Sequence, residues 1–139
     1  MRVECLDLLD SWLRGKQEDI IGHSNDLSAK HYLWSVRAET EATRAALMWD
    51  SVLDIRGIVL RVEGDVKAFA IGCDHSLSST LLLAERADVN LKGVYCKTLV
   101  EFCRRCVATD FLNMGSDWGV HYLRDAKLRW NPEKILTTY

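Results

Sequence analysis

The stretch from Thr80 to Tyr139 sets the terms for the whole chain. Its apolar run Leu81-Leu82-Leu83-Ala84 reads as a strand over about Thr80–Arg86, buried on both faces. A helix is expected over Val94–Thr109. Tyr95, Leu99, Phe102, Cys103 and Cys106 form one stripe of it, and Lys97, Glu101, Arg104 and Arg105 the opposite face. Phe111-Leu112-Asn113 reads as a short strand. Ser116 or Asp117 is placed to cap a helix from about Trp118 to Leu128. Asn131-Pro132 breaks that helix, and Lys134–Tyr139 reads as a last strand. Polar residues gather where strands end and helices begin, which is where open α/β sheets bind substrates.

Upstream, residues 3–14 read as a helix. Val3, Leu6, Leu9 and Leu13 make its stripe, with Leu8 and Trp12 beside them, and Gly15 is its stop. Residues 16–35 look polar and irregular, with Gly22, Ser24, Asn25 and Asp26 as loop. A second helix is expected from about Val36 to Trp49 or Val52, burying Ala38, Ala42, Ala45, Ala46 and Trp49 and pairing Glu41 with Arg44 on its outer side. Ile58–Val62 and Val66–Ile71 then flank Glu63-Gly64-Asp65, where Gly64 supplies the positive φ of a tight hairpin. The order α-α-β-β-β-α-β-α-β describes an α/β fold, a mixed and mostly antiparallel sheet covered by helices.

Composition narrows the function classes. With 139 residues, 48% of them hydrophobic, and Pro132 as the one proline, the chain is a single ordered domain over residues 1–139. A net charge of −2 argues against a general polyanion binder. Glu4, Asp7 and Asp10 interrupt the first apolar stretch, so it does not read as a leader, and no apolar run approaches a membrane span. Five cysteines, an odd number, fit a reduced cytoplasmic setting. Cys103-Arg104-Arg105-Cys106 has the spacing of a redox or zinc pair. It lies inside a helical pattern without a second pair, so buried structural thiols and no metal are expected. His23, His31, His75 and His121 are scattered, and Ser78-Ser79-Thr80 lacks the glycine elbow of a serine nucleophile.

With this element order, the segments Gly57–Gly72, Glu85-Arg86-Ala87-Asp88, Gly93-Val94-Tyr95, Glu101-Phe102, Phe111-Leu112-Asn113, Asp117-Trp118-Gly119 and Leu123-Arg124-Asp125-Ala126-Lys127-Leu128 followed by Pro132 carry a resemblance. The chain resembles the acyltransferase fold of the GNAT superfamily, and more closely the C-terminal domain of bacterial phosphatidylglycerol lysyltransferases. The resemblance covers most of the chain and is densest after Gly57. It implies transfer of an aminoacyl group from the 3′ end of a transfer RNA to an amine or hydroxyl acceptor such as a lipid headgroup. It also implies that a basic residue on the last helix, by position Lys127, stabilises the oxyanion. Because such families usually carry two tandem domains, it further implies a missing N-terminal domain or a homodimer.

The residues support the same chemistry independently. Acyl transfer develops negative charge on oxygen, and one preorganised donor there is worth roughly 3–4 kcal/mol. Arg124 and Lys127 are three residues apart on one expected helix and project from one face, where an anion between them would relieve their repulsion. A solvated basic edge paired with Asp125 or Glu133 is the plainer alternative. Asp117 is placed to cap that helix or to bind the α-amino group of an aminoacyl donor. Glu85, in phase with Leu81 and Leu83, is expected to be partly desolvated, with a raised pKa, and to act as general base or to pair with an arginine such as Arg124. Asp88 suits a turn. Asn113 ends the short strand among the expected substrate-binding residues.

Gly93 opens a helix whose amides could hold an anion. In acetyltransferases of this fold that turn binds coenzyme A pyrophosphate. The single glycine and the bulk of Tyr95 count against coenzyme A here, and Tyr95 may equally serve the core. The alternatives to aminoacyl transfer are therefore a coenzyme A-dependent N-acetyltransferase and a catalytically silent domain acting through dimerisation or a partner. Transfer RNA binding would need a local basic patch, for which Lys97, Arg104 and Arg105 are the candidates.

Overall fold

Two antiparallel hairpins in series organise the molecule. The computed structural model describes residues 1–23, 27–49, 51–117 and 119–136. Helices α1 (Arg2–His23) and α2 (Leu27–Met48) come first. Strands β1 (Arg56–Val62), β2 (Asp65–Ser76) and β3 (Ser79–Ala87) follow, then α3 (Val94–Cys106), β4 (Phe111–Asn113) and α4 (His121–Leu128). The strands form one sheet in chain order. β1–β2 and β2–β3 pair antiparallel, and β3–β4 pair parallel. The expected α/β fold with a mixed, mostly antiparallel sheet stands, and it is consistent with an acyltransferase-like architecture.

The sheet has one helix layer on each face. Cys5, Leu9 and Leu47 from α1 and α2 bury against Phe69, Ile71 and Ala84. On the other face α3 lays Phe102 and Cys106 on Ala70, with Ile58, Leu82 and Leu112 around them. Gly72 makes that packing possible. A Cβ there would stand 2.8 Å from Phe102 Cζ and nearer still to the Leu81 carbonyl oxygen. At the start of β3, the buried Thr80 hydroxyl donates to Asp74 Oδ1 at 2.9 Å and meets Thr109 Oγ1 at 2.9 Å, tying β2 and β3 to the connection before β4.

Several elements differ from the sequence reading. Gly15 does not stop α1, because it sits on an open surface, and the segment expected to be irregular is helical over residues 16–23 and 27–35. A glycine inside a helix costs only about 1 kcal/mol, which the packing of α1 on the sheet outweighs. Ser24, Asn25 and Asp26 lie outside the described residues. In α2 the buried positions are Val36, Thr40, Thr43 and Leu47, not the alanines, and Trp49 is 60% exposed. The two threonines can be buried because their hydroxyls donate back to Val36 O at 2.7 Å and Glu39 O at 2.8 Å.

Leu83 is 39% exposed rather than buried, because a bulge between Ile71 and Gly72 leaves it opposite no residue of β2. The inner stripe of α3 is Val94, Thr98, Leu99, Phe102 and Cys106, so Cys103 is exposed and not a buried thiol. Helix α4 starts at His121 behind Val120, later than expected and without a side-chain cap. Gly119, at φ 73°, turns the chain before it. No strand forms over residues 134–136; Trp118 and residues 137–139 lie outside the described residues.

Candidate functional site

β3 and β4 share only three rungs, Ser79–Phe111, Thr80–Leu112 and Leu81–Asn113. Beyond them β4 ends while β3 continues to Ala87, so the later half of β3 has no β4 partner. Glu85 and Arg86 stand on this later half of β3, and Asn113, Asp117, Arg124 and Lys127 follow on β4, its loop and α4.

On β3, register places Glu85 beside Ala70 on the α3 face. Its carboxyl is buried, and Oε1 has no hydrogen-bond partner among the described residues. Burial pushes its pKa up to about 7, with the neighbouring Arg86 charge pulling slightly the other way. The bulge at Leu83 lies two residues before it, a device common beside active sites. Glu85 does not pair with Arg124.

The next residue, Arg86, points to the opposite face and is only 5% exposed. Its guanidinium lies over the Trp12 ring, 4.3 Å from the centroid. It donates from Nη1 to Glu85 O at 2.8 Å and from Nη2 to Glu39 Oε1 at 2.7 Å. The Trp12 indole N–H in turn donates to the Tyr95 hydroxyl at 3.0 Å. Tyr95 therefore belongs to the core beside Ala68, Ala87 and Val94, and burial raises its pKa. Gly93, at φ 77°, is the N-cap of α3. Asp88 makes the expected turn, its Oδ1 accepting the Asn90 backbone N–H at 3.0 Å.

After β4, Lys127 reaches back from α4. Its ammonium donates to the carbonyls of Met114 at 2.6 Å, Gly115 at 3.0 Å and Ser116 at 2.8 Å. Half-burial lowers its pKa, opposed by the charges of Asp117 and Glu39. Arg124, 57% exposed, donates from Nε to Asp117 Oδ2 at 2.6 Å. That bond holds the Asp117 carboxyl below its usual range, helped by the Gly119 backbone N–H at 2.9 Å. Asp117 thus organises the turn before α4 instead of capping it. Asn113 Oδ1 accepts the Gly115 N–H at 2.8 Å. Lys127 and Arg124 share a helix, but each is satisfied by its own acceptor.

Near α4 stand residues that sequence reasoning passed over, and the charge of one of them, Glu39, acts on Lys127. Tyr32 on α2 meets Tyr122 on α4 hydroxyl to hydroxyl. Burial, then that contact, raises the Tyr32 pKa, and it feels both Glu39 and Arg86. Trp12 read as apolar stripe, and Glu39 was not singled out. The tetrapeptide Glu85-Arg86-Ala87-Asp88 was the available signal for Arg86, a charge set in an apolar strand. Elsewhere, Glu101 gathers Lys97, Arg104 and Arg105, and its bonds to Lys97 first and then Arg105 hold its carboxyl down at about 2. Among the described residues there is no group of three or more metal-ligating side chains.

A family profile described as phosphatidylglycerol lysyltransferase, C-terminal, matches residues 1–139. The chain belongs to this family. No curated protein matches it. A crystal structure described as a conserved protein of unknown function from Bacteroides thetaiotaomicron VPI-5482 is similar at 27% identity and a TM-score of 0.78, over 97% of this chain and 42% of that one. The lysyltransferase C-terminal domain described here thus spans less than half of that chain's length. Among its described residues no helix is long and apolar enough to cross a membrane.

Proposed function

We propose that this domain transfers an aminoacyl group from the 3′ end of an aminoacyl-tRNA to an amine or hydroxyl acceptor, a lipid headgroup or a small molecule. The observation that carries the reading is Glu85, a half-buried residue whose Oε1 is buried without a partner and whose pKa is near neutrality, on the part of β3 beyond its last rung with β4. A general base works best with a pKa near the working pH, and Glu85 has it. Membership of a lysyltransferase family supports the reaction class.

In this reading Glu85 takes the proton of the attacking acceptor. Lys127 stabilises the oxyanion by exchanging one of its three carbonyl acceptors at 114–116 for the developing charge, with the exposed Arg124 on the same helix. Asp117 receives the donor's α-ammonium, and Asn113 sets the turn after β4. No metal is required for these roles.

The test is transfer of radiolabelled lysine from lysyl-tRNA to phosphatidylglycerol vesicles or to small-molecule amines. Glu85→Gln should lower kcat at least about 100-fold, the usual weight of a general base. Absence of transfer to any acceptor, with wild type folded, would refute the reading.

A second reading, a coenzyme A-dependent N-acetyltransferase, gains one observation. Tyr95 is engaged with Trp12, so its hydroxyl end is committed to the core and not to the turn at Gly93. A rise in Tm with acetyl-coenzyme A would select it. No ligand response, together with a stable dimer in solution, would select a silent partner-binding domain.

A further inference from the structure

The outer side of β1 is an unpaired sheet edge with a charged helix flank beside it. β1 ends the sheet and, among the described residues, is bonded to β2 alone. Alternate residues of a strand turn their N–H and C=O to opposite sides, so half of β1's backbone groups face away from β2. Ile58 packs with Phe102 and Cys106 of α3, and Leu60 with Val94. Between the edge and α3 runs an open groove of about 440 Å³, lined by Ile58, Val59, Leu60, Lys97, Glu101 and Arg105.

Folded proteins usually guard a sheet edge with charges, bulges or cover. Here the charges are drawn away. Arg56 pairs with Asp74 on β2, and Arg61 holds Glu4 of α1 at 2.7 Å. A register shift between Leu60 and Arg61 ends the regular stretch. Residues 57–60 between the two arginines carry no charge. An exposed edge of this kind takes up an extended peptide as an added strand, through main-chain hydrogen bonds.

The wall of the groove sets what such a strand carries. Lys97, Arg104 and Arg105 share one carboxylate, Glu101, whose side chain is 12% exposed against 61% for Lys97 and 71% for Arg105. Lys97 gives Glu101 one bond and Arg105 gives it only Nε, so both cations keep donors turned to solvent. They stand about 12 Å apart along the helix. Side chains four residues apart on a strand lie on one face and about 13 Å apart. A second copy of this chain would set one cationic cluster against another. A nucleic acid strand lacks the alternating N–H and C=O that pair with an edge.

We infer that the groove between β1 and α3 docks an extended polypeptide segment, which adds as a further strand at the β1 edge and turns carboxylates towards Lys97 and Arg105. This surface is separate from the residues assigned to transfer.

The probe is the peptide acetyl-Val-Glu-Val-Glu-Val-Glu-amide, with the same peptide carrying glutamine for glutamate as control. Followed by NMR on isotope-labelled protein, the glutamate peptide should shift amide resonances at 57–60 and 97–105. It should bind about tenfold more tightly than the glutamine peptide, the weight of two exposed charge pairs. Lys97→Gln combined with Arg105→Gln should bring the two peptides within about twofold. N-methylation of the alternate peptide residues that face β1 should abolish binding, and N-methylation of the other set should leave it.

Failure of the glutamate peptide to bind, equal binding of the glutamine peptide, or an undiminished preference in the double variant overturns the inference. So does binding that survives N-methylation of each set in turn. A dimer in sedimentation that protects 57–60 from exchange overturns it in favour of a second copy. A uridine oligonucleotide that binds the groove more tightly than the peptide overturns it in favour of nucleic acid. The peptide arms use wild type alone, so they decide whether or not the double variant folds.

Discussion

Glu85 is the residue at which stability and chemistry oppose each other. Its folded-state pKa is raised from 4.5 to about 7 by burial. The native state therefore binds more protons than the unfolded chain between those values, and stability falls as pH rises through that window. The contribution is fully present below about pH 4.5 and lost above about pH 7, and the rise corresponds to about 3 kcal/mol. Urea titrations of wild type and Glu85→Gln across this range should show wild type losing stability relative to the variant as pH increases. A second residue-scale expectation concerns Gly72. Its missing side chain is the space that Phe102 and the Leu81 carbonyl occupy, so Gly72→Ala should cost about 3 kcal/mol, the upper end for overpacking, in the same titration.

At the scale of elements, α4 is the loosest part of the described structure. None of its residues is buried. It is secured by the three bonds of Lys127, the Arg124–Asp117 pair and the Tyr32–Tyr122 contact. Lys127→Met should therefore lower global stability by only about 1–2 kcal/mol while markedly speeding amide hydrogen exchange across residues 114–128. Exchange confined to the chain ends would contradict this. The first three strands, by contrast, were plain in the sequence, although the strand expected at the chain's end does not form over residues 134–136. Gly64 and the alternating flanks marked the hairpin, and the apolar run marked β3. The helical hairpin was not, since glycine at 15 and buried threonines at 40 and 43 violate the usual signals, and only tertiary packing overrides them.

On the scale of the whole molecule, the candidate residues on β3 and α4 were visible in the sequence, and their neighbours on α1 and α2 were not. Glu85, Asn113, Asp117 and Lys127 stand at the ends of elements whose order the sequence revealed. Trp12 and Glu39 meet Arg86, and Tyr32 meets Tyr122, only because the first two helices fold back over the sheet, which no local pattern announces. The basic residues Lys97, Arg104 and Arg105 do cluster, although Glu101 lies among them. If transfer RNA lies along α3, replacing all three by glutamine should weaken binding and reduce the slope of log affinity against log salt by about 2–3. Filter binding across a salt series would measure it.

The chain-order sheet also bears on how the molecule assembles. Each strand is hydrogen-bonded to its successor or predecessor along the chain, so nearly all of the sheet can form without bringing distant segments together. Such wiring favours rapid folding. The long-range step is docking of α1, which brings Trp12 under Arg86 and Cys5 and Leu9 onto Phe69 and Ile71. Tryptophan fluorescence at position 12 would therefore report the moment at which a preformed sheet gains its second face.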